Sequence, residues 1–237
     1  MPEIYTYKYP MFALTVDCVV FSIDIESNFE LRLLLMQRKE EPFAGKWALP
    51  GAYAHIDENL EDAARRTLRQ KTGLSNVYLE QLYTFAEPER DPRGRTISCA
   101  YYALARPHQP QIEEGARSLR AQWFSLNDLP PLAFDHDLIF SKGLERLQGK
   151  LAYEPVGLEL LPSEFTLPEL RSVYEAILDR QLDRGNFRKA ILRAGLLRES
   201  RVRHPSGGAG RPPIVYKFDK RTYTKLKKSG FTLDLSL

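Results

Sequence analysis

Cysteine is scarce in this chain, with Cys18 and Cys99 the only two among 237 residues, and both sit in apolar, strand-like stretches. A disulfide framework and a cysteine-based zinc site are therefore excluded as organising features, and reduced core thiols are expected. Histidine is equally thin: His55, His108, His136 and His204 are scattered singly, so no histidine metal cluster is predicted. Also missing is any run approaching the roughly 18 apolar residues of a membrane span. The opening MPEIYTYKYP lacks the basic-then-apolar order of an export signal. The expectation is a cytoplasmic protein without membrane contact. Internal repeats are absent, and low complexity is confined to the short piece PSGGAGRPP.

Hydrophobic residues make up 43% and charged residues 27%, a balance that supports two modest folded domains rather than bulk disorder. The net charge of +3 conceals an asymmetry. Residues 151–237 carry 16 Lys and Arg against 10 Asp and Glu, a net +6, which leaves 18 against 21, a net −3, for residues 1–150. From Arg184 to Lys228 there are 14 basic and 2 acidic residues. Such a surface suits nucleic acid phosphates, although on charge alone a solvated basic face is the favoured reading.

Apolar and β-branched residues over 11–25 and 31–38 predict two strands. A Gly- and Pro-punctuated loop follows, then a helix with Leu60, Ala64 and Leu68 on one face and Gly73 at its end. Strands are predicted at 76–86, 95–105 and 119–126, and a helix over 136–149. The order fits an α+β domain. With two prolines and no clean periodicity, 151–164 is expected to be a linker between a domain at 1–150 and one at 165–237.

The run from Gly51 to Leu74 resembles the Nudix box, a loop-helix-loop that binds nucleoside diphosphate derivatives. Glu58, Arg66, Gly73 and Leu74 fall on the family's positions without a gap, Trp47-Ala-Leu-Pro50-Gly51 is similar to its entry, and Ala52 replaces a glycine. Three glutamates that hold catalytic Mg²⁺ in the family align with Thr67, Gln70 and Lys71. Positions i, i+3 and i+4 share a helix face; here that face offers a hydroxyl, an amide and an ammonium, whereas Mg²⁺ requires hard anionic oxygens. The resemblance thus implies nucleotide binding with no catalytic residues, no metal and no required cofactor. Glu58 and Arg66 read as a bracing ion pair. The segment Tyr83 to Arg95 is similar to one in proteins acting on ADP-ribose and in their regulatory relatives. Arg38, Phe43, Lys46, Trp47, Lys71, Phe85, Arg90 and Arg95 are the expected ligand contacts, with arginines on phosphates and Phe85 or Trp47 on adenine. The rival is an active nucleotide-sugar pyrophosphatase, with Glu87, Glu89, Asp91, Glu113 or Glu114 rebuilding a metal site.

After the linker, Thr166 and Glu169 form a capping box ahead of a helix with Leu170, Val173, Tyr174, Ile177 and Leu178 on one face. A second helix puts Phe187, Ala190, Ile191 and Ala194 on one side and Asn186, Lys189 and Arg193 on the other, with Arg188 flanking. Two strand-like pieces then enclose a tip at Gly210-Arg211-Pro212. Helix, helix and basic hairpin is the winged-helix order. Thr166, Asn186, Arg188, Lys189, Arg193, Arg203, His204 and Arg211 are the expected DNA contacts. A common RNA-binding module is disfavoured by the lack of a stacked-aromatic strand signature.

Taken together, the chain resembles the Nudix-related transcriptional regulators of NAD metabolism, whose second domain carries similar Tyr-Glu-Ala-Ile-Leu, Asn-Phe-Arg and Gly-Arg-Pro motifs. The resemblance implies an α+β protein, a Nudix-like α/β/α sandwich followed by a winged helix-turn-helix. It further implies a homodimeric repressor of NAD synthesis or salvage genes that binds a near-palindromic operator and is released by ADP-ribose or a related nucleotide.

Overall fold

In the computed structural model, residues 8, 11–106, 118–200 and 213–229 are described. The first half is built on β1 (Ala13–Asp24), β2 (Glu30–Arg38), β3 (Trp47–Ala48), β4 (Gly51–Tyr53), α1 (Leu60–Thr72), β5 (Tyr78–Phe85), β6 (Thr96–Leu104), β7 (Ser118–Ser125) and α2 (His136–Leu151). These seven strands form one sheet. The path β3-β2-β1-β6-β5 has β4 also pairing with β1 and β7 with β2. The central β1–β6 pair is parallel and the other pairs are antiparallel.

The period-two alternation of β1 explains the layering. Val16, Cys18 and Val20 point to one face, where they pack with Ala63, Ala64 and Leu68 of α1. Val19, Phe21 and Ile23 point to the other, with Ile139, Leu147 and Leu151 of α2. A helix on each face makes an α/β/α sandwich. Helix α1 starts at Asn59, whose side chain accepts from the Asp62 N–H, and stops at Gly73, where a left-handed φ of 70° closes the last turn.

The second half consists of β8 (Phe165–Thr166), α3 (Leu167–Leu178), α4 (Arg184–Arg193), β9 (Leu197–Glu199), β10 (Val215–Phe218) and α5 (Lys220–Lys228). Strand β10 lies between β8 and β9, antiparallel to both. Helix α4 closes on α3 through Phe187, 1% exposed, whose ring meets Tyr174 edge-on at 5.3 Å.

The segment read as a linker is packed. Helix α2 continues to Leu151, and a 3-10 helix over Val156–Leu160 buries Val156, Leu158 and Leu160, with Leu161 buried after it. Gly157 fits there because a Cβ would come within 2.7 Å of the Tyr174 ring. These leucines join the sensor-side cluster of Phe21, Leu33 and Leu147 to the winged half's Phe165, Leu170 and Tyr174 in one continuous apolar core. Among the described residues, no helix is long and apolar enough to cross a membrane.

Candidate functional site

A cavity of about 680 Å³ opens where the start of β1, the end of β2, β4, α1 and the start of α2 converge. Its cationic wall is Arg38 at the end of β2, Arg66 and Lys71 on α1, and Arg90 and Arg93 from the loop between β5 and β6. Two of these are stacked on one aromatic ring. The Arg38 guanidinium lies 4.6 Å and that of Arg93 5.5 Å from the Phe134 centroid. Burial, and after it the Arg93 cation, lowers the pKa of Arg38. An anion entering between the two relieves that repulsion.

The floor is a buried polar cluster. Arg90 donates to both Asp135 oxygens at 2.8 and 2.6 Å, and its Nη2 lies 3.6 Å from Asp17. Asp17 accepts from Ser98 Oγ at 2.5 Å. Nδ1 of His136 accepts from the Leu49 N–H at 2.9 Å, which leaves Nε2 as the protonated nitrogen, 3.6 Å from Asp17. Burial lowers the His136 pKa against the opposing pull of Asp17 and Asp135, and the hydrogen bond that Nδ1 accepts requires the neutral imidazole. Gly51 is required beside this floor, because a Cβ would sit 1.9 Å from Asp17 Oδ1.

The side chains at the three family glutamate positions have other partners. The Thr67 hydroxyl is fully buried and donates to the Ala63 carbonyl at 2.7 Å. Gln70 is exposed, with Oε1 3.5 Å from Arg66 Nη1. Lys71 donates to the carbonyl of Gly51. Glu58 and Arg66 form a two-point ion pair, and Arg66 also donates to the Tyr53 carbonyl at 3.0 Å. The Arg66 hydrogen bonds and then the His55 N–H depress the Glu58 pKa to about 2. This pair fastens the loop after β4 to α1. Among the described residues, no group of three or more His, Cys, Asp and Glu is arranged to hold a metal. Glu87 and Glu89 are exposed, Asp91 is engaged by Arg93 at 2.6 Å, and Glu113 and Glu114 lie outside the described residues.

Of the expected ligand contacts, Arg38, Lys71 and Arg90 line the cavity, and Phe43, Lys46, Trp47, Phe85 and Arg95 do not. Trp47 packs edge-on against Phe124 at 4.7 Å, and Phe85 against Tyr83 at 5.4 Å, so neither ring faces the opening. Arg95 turns back to the Ala86 carbonyl at 2.6 Å. Phe43 reaches the site only through Phe134, and Lys46 is exposed outside it. Arg90 is committed to two carboxylates and supports the floor. Arg93 lay in the segment Tyr83 to Arg95 but was not singled out as a contact, and Phe134 and Tyr53 were not anticipated; Phe134 carried no local signal.

On the winged half, Asn186, Arg188, Lys189 and Arg193 are exposed on α4 while Phe187 and Ile191 face inward. The Asp183 side chain caps the helix by accepting from the Asn186 N–H at 2.8 Å. Thr166 is different: it is buried, and its hydroxyl and N–H are both engaged with Glu169 in the capping box. Its part is to start α3 rather than to face a ligand. Arg203, His204 and Arg211 lie outside the described residues.

Comparison with known proteins covers both halves. The NUDIX domain model matches residues 11–142, and the NrtR DNA-binding winged helix domain model matches residues 157–218. The ADPR responsive transcriptional repressor NtrR of Acinetobacter baylyi is 35% identical over 221 residues, 91% of this chain and 85% of that protein. The chain belongs to the NrtR family. Shewanella oneidensis NrtR, solved in complex with a 27mer DNA, superposes with a TM-score of 0.78 at 34% identity, covering 93% of this chain and 97% of the other. The NUDIX domain of the same Shewanella protein, solved with ADP ribose, gives a TM-score of 0.55 at 36% identity over 60% of this chain and 94% of that one. In this NrtR-family chain the cavity falls within the NUDIX match and α4 within the winged-helix match.

Proposed function

We propose that this chain is a transcriptional repressor of NAD synthesis or salvage genes, which binds duplex DNA as a homodimer through α4 and the hairpin that follows. ADP-ribose or a closely related nucleotide, bound in the cavity of the first domain, releases it. The observation that carries the reading is the likeness to DNA-bound NrtR along 93% of the chain, sensor and winged helix in the same order. Its site of action is the cytoplasm, where the DNA is.

The cavity chemistry supports a diphosphate ligand. Arg38 and Arg93 both lie against Phe134 and Lys71 lines the same cavity, so cations and an aromatic face are offered together. The same wall argues against hydrolysis. Phosphoanhydride cleavage in this fold needs Mg²⁺ held by carboxylates, and a hydroxyl, an amide and an ammonium stand at Thr67, Gln70 and Lys71. We therefore assign the domain to sensing without turnover.

Fluorescence anisotropy tests the reading. Duplex DNA from upstream of the chain's own gene is titrated with protein at fixed salt, then with ADP-ribose. Saturable binding reversed by ADP-ribose is the expected result. A protein indifferent to duplex DNA that hydrolyses ADP-ribose with Mg²⁺ at ordinary enzymatic rates would be the pyrophosphatase instead.

A further inference from the structure

Helix α2 is fastened at both ends to different functional parts of the molecule. At its start, Asp135 occupies the cap position yet makes no side-chain capping bond to the helix. Its carboxylate grips Arg90 on the cavity floor instead. The next residue, His136, lines the cavity and is fixed by the Leu49 N–H. The helix start is thus tied to the site by the side chains of Asp135 and His136, while the Asp135 carbonyl accepts from the Leu138 and Ile139 N–H groups of the first turn.

Its 16 residues carry the chain about 24 Å. Near the far end, Gln148 donates to the Ile177 carbonyl in the last turn of α3 at 2.9 Å. The ammonium of Lys150, 7% exposed, is held by Glu80 of β5, by the Tyr78 hydroxyl at 3.1 Å and by Glu154 at 3.4 Å. Glu154 in turn accepts from the Tyr223 hydroxyl and from Lys227, both on α5 and both at 3.2 Å. A buried ammonium shared between two carboxylates tolerates little displacement, because a shift leaves charge unpaired in an apolar setting. A helix is stiff along its axis, so movement at one end is not absorbed before it reaches the other.

We propose that α2 is the connecting rod through which occupancy of the cavity repositions the winged helix, and that the junction of Lys150, Glu154, Tyr223 and Lys227 is its attachment to the DNA-binding half. The inference rests on the nucleotide-responsive reading above and adds the path of the response. The ligand acts by preferring one placement of α2; the junction converts that preference into a placement of α3 and α5. Residues of the junction touch neither the cavity nor the exposed face of α4. Their loss therefore weakens the link between the two binding events while sparing each event by itself.

The test uses the full chain with Glu154→Gln and, separately, Tyr223→Phe. The latter removes only the hydroxyl that donates to Glu154 at 3.2 Å, leaves the charge of α5 unchanged, and keeps the test valid should the former fold poorly. ADP-ribose affinity is measured by calorimetry, and affinity for the upstream duplex by anisotropy at fixed salt with and without saturating ADP-ribose. Allosteric ratios of this kind are about 5- to 150-fold. The variants are expected to reduce the wild-type ratio by about 2- to 30-fold while ADP-ribose affinity stays within about twofold of wild type. A full wild-type ratio in the folded variants overturns the inference and leaves the functional reading standing. A wild-type duplex affinity that ignores ADP-ribose overturns that reading, and the inference with it.

Discussion

Lys71 of α1 donates a hydrogen bond to the carbonyl of Gly51, twenty residues earlier at the start of β4. The contact sets an ammonium in the lining of the cavity. It also holds β4 to α1, beside the Glu58–Arg66 pair that fastens the following loop.

Replacing Lys71 by alanine tests the proposed contact of its ammonium with a diphosphate. A charge-assisted hydrogen bond contributes about 1.5–3 kcal/mol, so ADP-ribose affinity is expected to fall at least about tenfold. Isothermal titration calorimetry reads this directly, and an unchanged Kd would remove Lys71 from the ligand site.

Gly51→Ala tests the crowding at the floor. The new methyl meets Asp17 Oδ1 at 1.9 Å and the Val16 carbonyl at 3.0 Å. Asp17 is held by Ser98 and cannot step aside freely. Overpacking of this kind costs about 1–3 kcal/mol; a lowered thermal midpoint with loss of ADP-ribose binding is expected. A variant as stable and as tight-binding as wild type would show that the floor yields.

His136 gives the pH dependence a definite sign. Its folded pKa lies below the ordinary value because burial opposes the charged form. Its contribution to stability is therefore complete above the unfolded pKa, about 6.5, and is lost as pH falls below that value toward the folded pKa. Between pH 7.5 and 5.5 the wild type is expected to lose more stability than His136→Asn, in which this ionisation is absent. Equal losses in urea titrations at the two pH values would refute the assignment.

The exposed face of α4 separates two kinds of contact. Lys189→Gln is expected to weaken upstream and random duplexes alike and to reduce the slope of log K against log salt by about 0.9 if the ammonium meets one phosphate. Asn186→Ala should discriminate, costing about 1–3 kcal/mol on the preferred duplex alone if the amide reads a base. Phe187→Ala acts on folding, by about 3–5 kcal/mol, since its ring is buried against Tyr174.

Much of the fold was legible because its signals are local. The Leu60, Ala64, Leu68 stripe and Gly73 predict α1, and the apolar, β-branched run over 11–25 predicts β1 as a strand. Helix α5 escaped notice: in KRTYTKLKK only Tyr223 and Leu226 are apolar; Tyr223 meets Phe218 and Glu154 and Leu226 packs on the core, contacts that no local pattern announces. The segment after α2 looked like a linker because Val156, Leu158 and Leu160 lie in a 3-10 helix of only five residues, punctuated by Pro155 and Pro162, too short for a helical period to show. In the site, cations were easier to anticipate than rings. An arginine keeps its charge wherever it lies, whereas Trp47 and Phe85 were claimed by the neighbours Phe124 and Tyr83, and Phe134 entered the cavity from a distant turn.

The parallel pairing of β1 with β6 sets a timetable for the chain's birth. Ala13 aligns with Thr96 and Phe21 with Leu104, so the middle of the sheet cannot close until the segment near Leu104 has left the ribosome. Until then β1 has only the antiparallel partners β2 and β4, and one edge of an apolar strand stays open to whatever it meets. Assembly is therefore governed by a late, long-range closure of the kind that slows folding, and the nascent first half is the stage most exposed to aggregation.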